Sequence, residues 1–269
     1  MKLTTYIFLT FFVFSCNNQQ RNTEIKTMTE DTIKNVAKDN AITVTEEKIQ
    51  EEYKNDFDIL LPSEYRDWEN KNPVNDLTKD WIELFIKDGK YYLGKADYTI
   101  NRGYSECSGD STKIINSKNN TILLINNDNL ESGEISSLEI KKNKIWPNEK
   151  LTFNFGNEVY TLRAEGNVLS SDTVHTDNGD ELYQKVENYK LYISSMNSAE
   201  TLFLEQTSFN DTFVKILFIG DLDKDGKADF IFEANRDYEE ERVILYMSSK
   251  AKKGEQIKKV SEVAVQFDC

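Results

Sequence analysis

The sequence predicts a mainly β fold of antiparallel strands, preceded by a flexible N-terminal tether. From residue 56 onward, short runs rich in apolar, aromatic and β-branched residues alternate with turn residues. Asp88-Gly89, Asn119-Asn120 and Gly156-Asn157 are hairpin signals, because these residue types tolerate positive φ. No long helical pattern separates the runs, which favours an all-β or β-rich architecture.

Each turn signal lies between two predicted strands, which gives a meander of antiparallel pairs. In the first half the predicted strands are Trp81–Ile86, Lys90–Lys95, Ser111–Ser117, Thr121–Ile125, Leu151–Phe155 and Glu158–Arg163. In the second half they are Tyr189–Ser194, Thr201–Glu205, Phe213–Ile219, Asp229–Glu233, Val243–Ser248 and Val260–Phe267. The folded region is therefore predicted over residues 56–269, and a division into two domains near residues 165–185 stays open.

The composition is that of a folded and strongly acidic protein. The 269 residues are 38% hydrophobic and 30% charged, and their formal net charge is −14. Nucleic acid is excluded as a partner, because phosphate binding requires clustered Lys and Arg. An acidic surface is compatible with cations and with simple solubility.

The N-terminus predicts export. Lys2 precedes the apolar run Tyr6–Phe14, which is too short to span a bilayer as a helix. Val13-Phe14-Ser15-Cys16 resembles a bacterial lipobox, in which the cysteine is acylated after cleavage. The resemblance implies a signal peptide over residues 1–15, lipidation at Cys16 and a cell-envelope location, periplasmic or surface-exposed. A conventional signal peptide and an uncleaved signal anchor are the alternatives.

Residues 16–55 are polar, without glycine or proline, and predict a tether between the lipid and the folded region. A short helix over Thr45–Tyr53 is left open within it. The other two cysteines are Cys107 and Cys269, and an oxidising compartment favours a disulfide between them. Two unpaired thiols are the alternative.

The segment from residue 218 to 231 carries the clearest chemical signal. Counted from Asp221, carboxylates stand at positions 1, 3, 5 and 9 and glycine at position 6. Calcium takes six to eight oxygen ligands, and alternate residues of a tight loop can direct their side chains to one centre. Gly226 allows the sharp turn that directs the next carbonyl group, from Lys227, to the same ion. An EF-hand is excluded, because position 12 is Phe232 and the flanks are strand-like.

This loop, Asp221 to Asp229, resembles the Asp-x-Asp-x-Asp-Gly-x-x-Asp loop of FG-GAP and VCBS repeats of the integrin-α type. The resemblance covers about 30 residues and implies a structural calcium ion held in a β-hairpin. The implied ligands are the side chains of Asp221, Asp223, Asp225 and Asp229 and the backbone of Lys227. The motif occurs once, which argues against a complete propeller.

Other residues are weaker candidates for a site. His175 is interpreted as a surface histidine, and the acidic run Asp237–Glu241 as a solvated face. Six aromatic residues are interpreted as core, with a sugar-stacking surface as the alternative: Trp68, Trp81, Trp146, Tyr91, Tyr92 and Tyr104.

The favoured function is a noncatalytic, calcium-binding lipoprotein whose partner is a glycan or an envelope protein. Its motivation is a metal loop without a recognisable catalytic constellation. A secreted carboxylate-dependent hydrolase, such as a glycosidase, stays open because its paired carboxylates follow no spacing rule in sequence. An immunity or inhibitor protein is the third alternative.

Overall fold

A computed structural model describes residues 53–68, 71–176, 179–196 and 198–267. The described residues all belong to one compact unit, residues 51–269. The predicted signal peptide, the lipidation site Cys16, most of the tether and Cys269 lie outside the described residues. The helix left open at Thr45–Tyr53 also lies outside them, except for Tyr53, which is not in a regular element.

The described residues form strands and one short 3-10 helix, Pro73–Asp76, with no α-helix among them. None of them forms a helix long and apolar enough to cross a membrane. The strands are β1 (Ile59–Leu60), β2 (Glu64–Arg66), β3 (Ile82–Lys87), β4 (Lys90–Lys95), β5 (Tyr98–Ser105), β6 (Asp110–Ser117), β7 (Asn120–Ile125), β8 (Gly133–Glu134), β9 (Lys150–Phe155), β10 (Glu158–Thr176), β11 (Gly179–Ser195), β12 (Ser198–Ser208), β13 (Lys215–Gly220), β14 (Asp229–Glu233), β15 (Glu240–Met247) and β16 (Lys258–Gln266). The predicted fold class, mainly antiparallel β, is confirmed.

These strands form four antiparallel sheets. The strand orders are β1-β7-β3-β4-β8, β2-β6-β5, β12-β11-β10-β9 and β13-β14-β15-β16. In the last two sheets every strand pairs with its neighbour in sequence, as expected for a meander. The first two sheets do not follow the order of the chain. β7 does not pair with its neighbour in sequence and instead lies between β1 and β3 in the five-stranded sheet.

Two of the three predicted hairpins are confirmed, and one is wrong. Asp88 and Gly89 have φ values of 51° and 74° and join β3 to β4, and Gly156-Asn157 joins β9 to β10. The strands on either side of Asn119-Asn120 belong to different sheets, since β6 pairs with β5 and β2. The turn signal indicates that the chain changes direction, but burial decides the pairing. Leu123 to Ile125 of β7 are fully buried, which suits an interior strand.

The sheet β13-β14-β15-β16, called the central sheet below, packs into two different hydrophobic cores. Ile231 belongs to a first core shared with β1, β3, β4 and β7, whereas Phe230 and Phe232 belong to a second core shared with β9 to β12. Successive side chains of a strand point to opposite faces, so both faces of this sheet are buried. The uninterrupted apolar runs Phe230–Phe232 and Val243–Met247 fit such a position.

Strands β10 and β11 form a hairpin much longer than its neighbours. β9 pairs only with residues 158–163 of β10, and β12 pairs only with residues 187–195 of β11. Beyond these limits the hairpin is a two-stranded arm over residues 167–176 and 179–186. Residues 165–185, where the sequence leaves a domain division open, lie in this hairpin.

Candidate metal centre

The acidic loop connects β13 to β14, as the sequence predicts for a β-hairpin. Gly220 and Asp229 face each other as the last residue pair of β13 and β14, and the loop connects them. Lys224 and Gly226 have φ values of 63° and 84°, both in the left-handed region. Glycine adopts that conformation without a steric penalty, and the chain can therefore turn sharply around its carboxylates.

Three of the four predicted carboxylates converge in this loop. One oxygen each of Asp221, Asp223 and Asp225 lies within 4.8 Å of the others. Calcium binds oxygen at about 2.3–2.6 Å, so two ligands on opposite sides of the ion are separated by about 5 Å. The spacing of the three oxygens therefore fits one calcium ion, and carboxylate oxygen is the ligand type that this hard cation prefers.

One carboxylate oxygen of Asp223 has no hydrogen-bond partner among the described residues. Asp223 Oδ1 is shielded from solvent and accepts no hydrogen bond from a described residue. Its other oxygen, Oδ2, accepts a hydrogen bond from Ser249 Oγ. A buried carboxylate oxygen without a partner is unfavourable, and a cation between the three aspartates would satisfy it.

Hydrogen bonds hold the other two carboxylates in place. Asp221 accepts from the N–H groups of Asp225 and Gly226, at 3.0 and 2.9 Å. Asp225 Oδ1 accepts from Lys227 N at 2.8 Å, and Asp225 Oδ2 accepts from Ser248 Oγ at 2.8 Å. These hydrogen bonds fix the orientation of both carboxylates within the loop.

Asp229 has a different environment from the other three aspartates. It is fully buried, and its two oxygens accept hydrogen bonds at 2.8 Å from Leu222 N and Ser248 N. It does not belong to the group of three converging carboxylates. Asp229 joins the start of the loop to the end of β15, and its role as a calcium ligand stays a prediction, as does that of the Lys227 backbone.

The electrostatics of the loop favour a bound cation. Burial raises the pKa of Asp221, and the nearby Asp225 and Asp223 carboxylates raise it further, against the lowering effect of its two backbone hydrogen bonds. Burial also raises the pKa of Asp229 well above its ordinary value. Both shifts mean that the negative forms are unfavourable without compensation, which a divalent cation supplies.

Neighbouring segments support the loop from two sides. Asp221 N donates to Ser136 O at 2.9 Å, and exposed Lys224 pairs with Glu131 at 2.6 Å. On the other side, a Cβ added at Gly156 would lie 2.3 Å from the carbonyl oxygen of Gly226. The β9–β10 turn therefore touches the loop backbone, and only glycine fits at that point.

Ser248 and Ser249 are site residues that the sequence did not indicate. They follow β15, and their hydroxyl groups donate to Asp225 and Asp223, which lie 23 and 26 residues earlier in the chain. Only the pairing of β14 with β15 brings them to the loop. No local pattern in the sequence signals this contact.

Cys107 lies in the turn between β5 and β6 and is disulfide-bonded. Cys16 and Cys269 both lie outside the described residues, so the pairing of Cys107 with Cys269 stays a prediction. Its support is that Gln266 and Phe267 line the same pocket as Tyr104 and Ser105, which brings the C-terminal end close to this turn.

The other candidates fall into buried and exposed groups. Trp81 and Trp146 are core residues, whereas Trp68 and Tyr104 are exposed. The side chain of His175 is 87% exposed and is hydrogen-bonded through Nδ1 to Asp180 Oδ1 in the arm, at 2.6 Å. The predicted solvated face at 237–241 is wrong for Glu240, which is buried and paired with Arg236.

Comparison of the chain with protein-family models, with curated proteins and with solved structures finds no match. The similarity of the loop to FG-GAP and VCBS repeats accordingly stays a prediction from the residues of the loop itself.

Proposed function

We propose that this protein is an exported, lipid-anchored calcium-binding lipoprotein of the bacterial cell envelope that acts as a noncatalytic binding module. The observation that carries the proposal is the convergence of Asp221, Asp223 and Asp225 to within 4.8 Å, with Asp223 Oδ1 buried and unpartnered. The lipid anchor at Cys16 rests on the sequence alone.

The calcium ion is structural in this proposal. The loop connects two strands of the central sheet, and that sheet contributes side chains to both hydrophobic cores. An ion that neutralises the three carboxylates would therefore stabilise the native state of the whole folded unit. It supplies charge neutralisation and fixes the loop, and it leaves partner binding to the surrounding surface.

Thermal unfolding of residues 17–269 with calcium and with a chelator tests the proposal. At a calcium concentration of ten times Kd, binding to the native state adds about 1.4 kcal/mol to the free energy of unfolding. For a folded unit of this size that corresponds to a rise in Tm of about 3–6 °C. Asp223→Asn with Asp225→Asn should abolish the rise.

Asp172→Asn with Glu205→Gln is the matched control, because both side chains are exposed and the change in charge is the same. This control should keep the full calcium response. An unchanged Tm in the unaltered protein, at calcium concentrations above the range of about 10⁻⁴–10⁻³ M typical of extracellular modules, would refute the calcium proposal.

A further inference from the structure

A polar cavity of about 350 Å³ opens beside the calcium loop. Its wall includes Lys227 of the loop, Tyr160 of β10 and the segment that joins β15 to β16, from Ser248 to Gln256. The volume lies within the range of small-ligand sites and is large enough for one or two sugar units. None of the proposed calcium ligands except Lys227, which would bind through its backbone, lines the cavity.

The cavity gathers lysines that have no ion-pair partner. The side chains of Lys227, Lys252 and Lys253 line it and form no ion pair with any residue that the structure describes. Lys90 and Lys215, by comparison, each form an ion pair with a glutamate. Three unpaired ammonium groups around one cavity create a local site for an anion.

Uncharged polar groups complete the lining. Tyr160 Oη accepts a hydrogen bond from Ala228 N at 3.3 Å, and the phenol can donate its own proton into the cavity. Gln256 Nε2 donates to Ala199 O at 3.0 Å, whereas Gln256 Oε1 is buried and accepts no hydrogen bond from a described residue. An alcohol donor on a ligand would satisfy Gln256 Oε1.

Hydroxyl and carboxylate groups extend this pattern. Ser195 and Ser198 line the cavity, as do Glu158 and Glu255. Glu255 accepts a hydrogen bond from Lys252 N at 3.2 Å and keeps lone pairs for a further donor. The cavity thus offers cations for a negative group and a mixture of donors and acceptors for hydroxyl groups. Ala251 is the one aliphatic residue of its lining in the described chain, which disfavours an apolar ligand.

We infer that this cavity binds an anionic sugar, that is, a hexose unit carrying a carboxylate, phosphate or sulfate group. The negative group would lie against Lys252 and Lys253, and the hydroxyl groups would contact Tyr160 and Gln256. Charge-assisted hydrogen bonds to the lysines supply affinity, and the paired donors and acceptors select a polyol over a bare ion. Carbohydrate is therefore the partner class of the binding module.

The cavity and the calcium loop share a wall. Ser248 donates through Oγ to Asp225 and through its N–H to Asp229, and Ser249 donates to Asp223. Calcium at the loop should thus fix the position of this wall and strengthen sugar binding. This coupling rests on the proposed function, whereas the sugar site itself does not require it.

Backbone amide NMR of ¹⁵N-labelled residues 17–269, titrated in the presence of calcium, tests the inference. The probes are glucuronate, glucose 6-phosphate, glucose 6-sulfate, neutral glucose and inorganic phosphate. We expect at least one charged hexose to shift the amides of Lys253 and Gly254, with neutral glucose and inorganic phosphate binding more weakly. The strongest of the three charged hexoses identifies the anionic group.

Lys252→Gln with Lys253→Gln should weaken binding of that hexose roughly tenfold, as expected for the loss of charge-assisted hydrogen bonds. Lys185→Gln with Lys190→Gln removes two exposed lysines of β11 that form no ion pair with a described residue. It is the matched control and should bind normally. No binding by any charged hexose, equal binding of neutral glucose, or equal weakening in the control would overturn the inference.

Measurements of Tm and of hexose binding, each with calcium and with a chelator, distinguish failure of the sugar site from failure of the calcium proposal. If calcium raises Tm and no charged hexose binds, the sugar site is refuted and the calcium proposal stands. If a charged hexose binds through Lys252 and Lys253 while calcium has no effect on Tm, the sugar site stands and the calcium proposal is refuted.

Discussion

At the scale of single residues, two kinds of contact hold the acidic loop between β13 and β14: hydrogen bonds to its carboxylates and a close backbone approach. Asp229 holds Leu222 and Ser248 through their amides, and Gly156 touches the carbonyl group of Gly226. Both contacts come from residues outside the group of three converging carboxylates. The geometry of that group therefore depends on residues that lie outside it.

Gly156→Ala should destabilise the protein by about 2 kcal/mol or more. Its φ of 54° is unfavourable for alanine, and the new Cβ would lie 2.3 Å from Gly226 O, so the loop backbone must move. Gly89→Ala is the control, because Gly89 has a φ of 74° and nothing within 4 Å of its added Cβ. Urea unfolding should show the larger loss for Gly156→Ala. Equal losses would mean that the contact with Gly226 is unimportant.

Glu262 should make the stability depend on pH on the acid side. Burial by itself would raise its pKa, but Lys259 and Arg242 lower it more, so the pKa in the folded state lies below the ordinary value of 4.5. A carboxyl group with a lowered pKa stabilises the native state above its ordinary pKa, and this contribution is lost as the pH falls through the lowered value.

Glu262→Gln should accordingly reduce the Tm at neutral pH and flatten its decline as the pH falls below 4.5. Scanning calorimetry over that range measures both effects. Glu205→Gln, an exposed glutamate on β12, should leave the profile unchanged. A parallel profile for Glu262→Gln and the unaltered protein would show that the Arg242 and Lys259 pairs have no net effect.

At the scale of elements, the arm of β10 and β11 contributes little to the cores. Its outer part pairs only within itself, and Leu169, Val174 and Leu182 are exposed there. Closer to the sheet, Tyr183 contacts the Trp146 ring edge-on, and Val186 is buried. The arm is thus attached at its base and independent of the cores at its end.

Replacement of residues 173–182 by Asn-Gly should therefore change the free energy of unfolding by no more than about 1 kcal/mol. The exposed pair of Lys144 with Glu181 is lost, and surface pairs contribute about 0–1 kcal/mol. Leu191→Ala in the buried part of β11 should instead cost about 2–5 kcal/mol. Chemical denaturation compares the two, and a large loss on shortening the arm would show that it packs more extensively.

The elements also show how far local sequence patterns reach. Turn residues and alternating or continuous apolar runs located most strands, and the hairpins at Asp88-Gly89 and Gly156-Asn157 followed from them. The pairing at Asn119-Asn120 did not, because β7 gains more by burial between β1 and β3 than by pairing with β6. Pairing over long sequence distances is decided by burial, which a local pattern does not specify.

At the scale of the whole molecule, the central sheet joins the two cores. Ile231 packs into one core and Phe230 into the other, so a change in this sheet acts on both. Trp81 reports on the first core and Trp146 on the second, and both are buried. The two cores should unfold in one cooperative transition, because neither can keep its packing without the shared sheet.

Phe230→Ala should lower the free energy of unfolding by about 3–5 kcal/mol. The same loss of stability should be measured at both cores. The substitution is made in two parent proteins, one that keeps only Trp81 and one that keeps only Trp146. The tryptophan fluorescence of each then follows the unfolding of one core in urea. The midpoints should shift equally in both. A shift confined to the Trp146 protein would show that the cores unfold independently.

The sequence by itself determined the β class of the folded region, most strand positions and the spacing of Asp221, Asp223 and Asp225, because these depend on side-chain periodicity and turn chemistry over a few residues. Only the tertiary structure decided which sheet β7 enters, that Ser248 and Ser249 reach the acidic loop, and that three lysines without an ion pair to any described residue meet at one cavity. These features depend on contacts between distant segments. Their energies come from burial and charge in the assembled fold, which no short stretch of the chain contains.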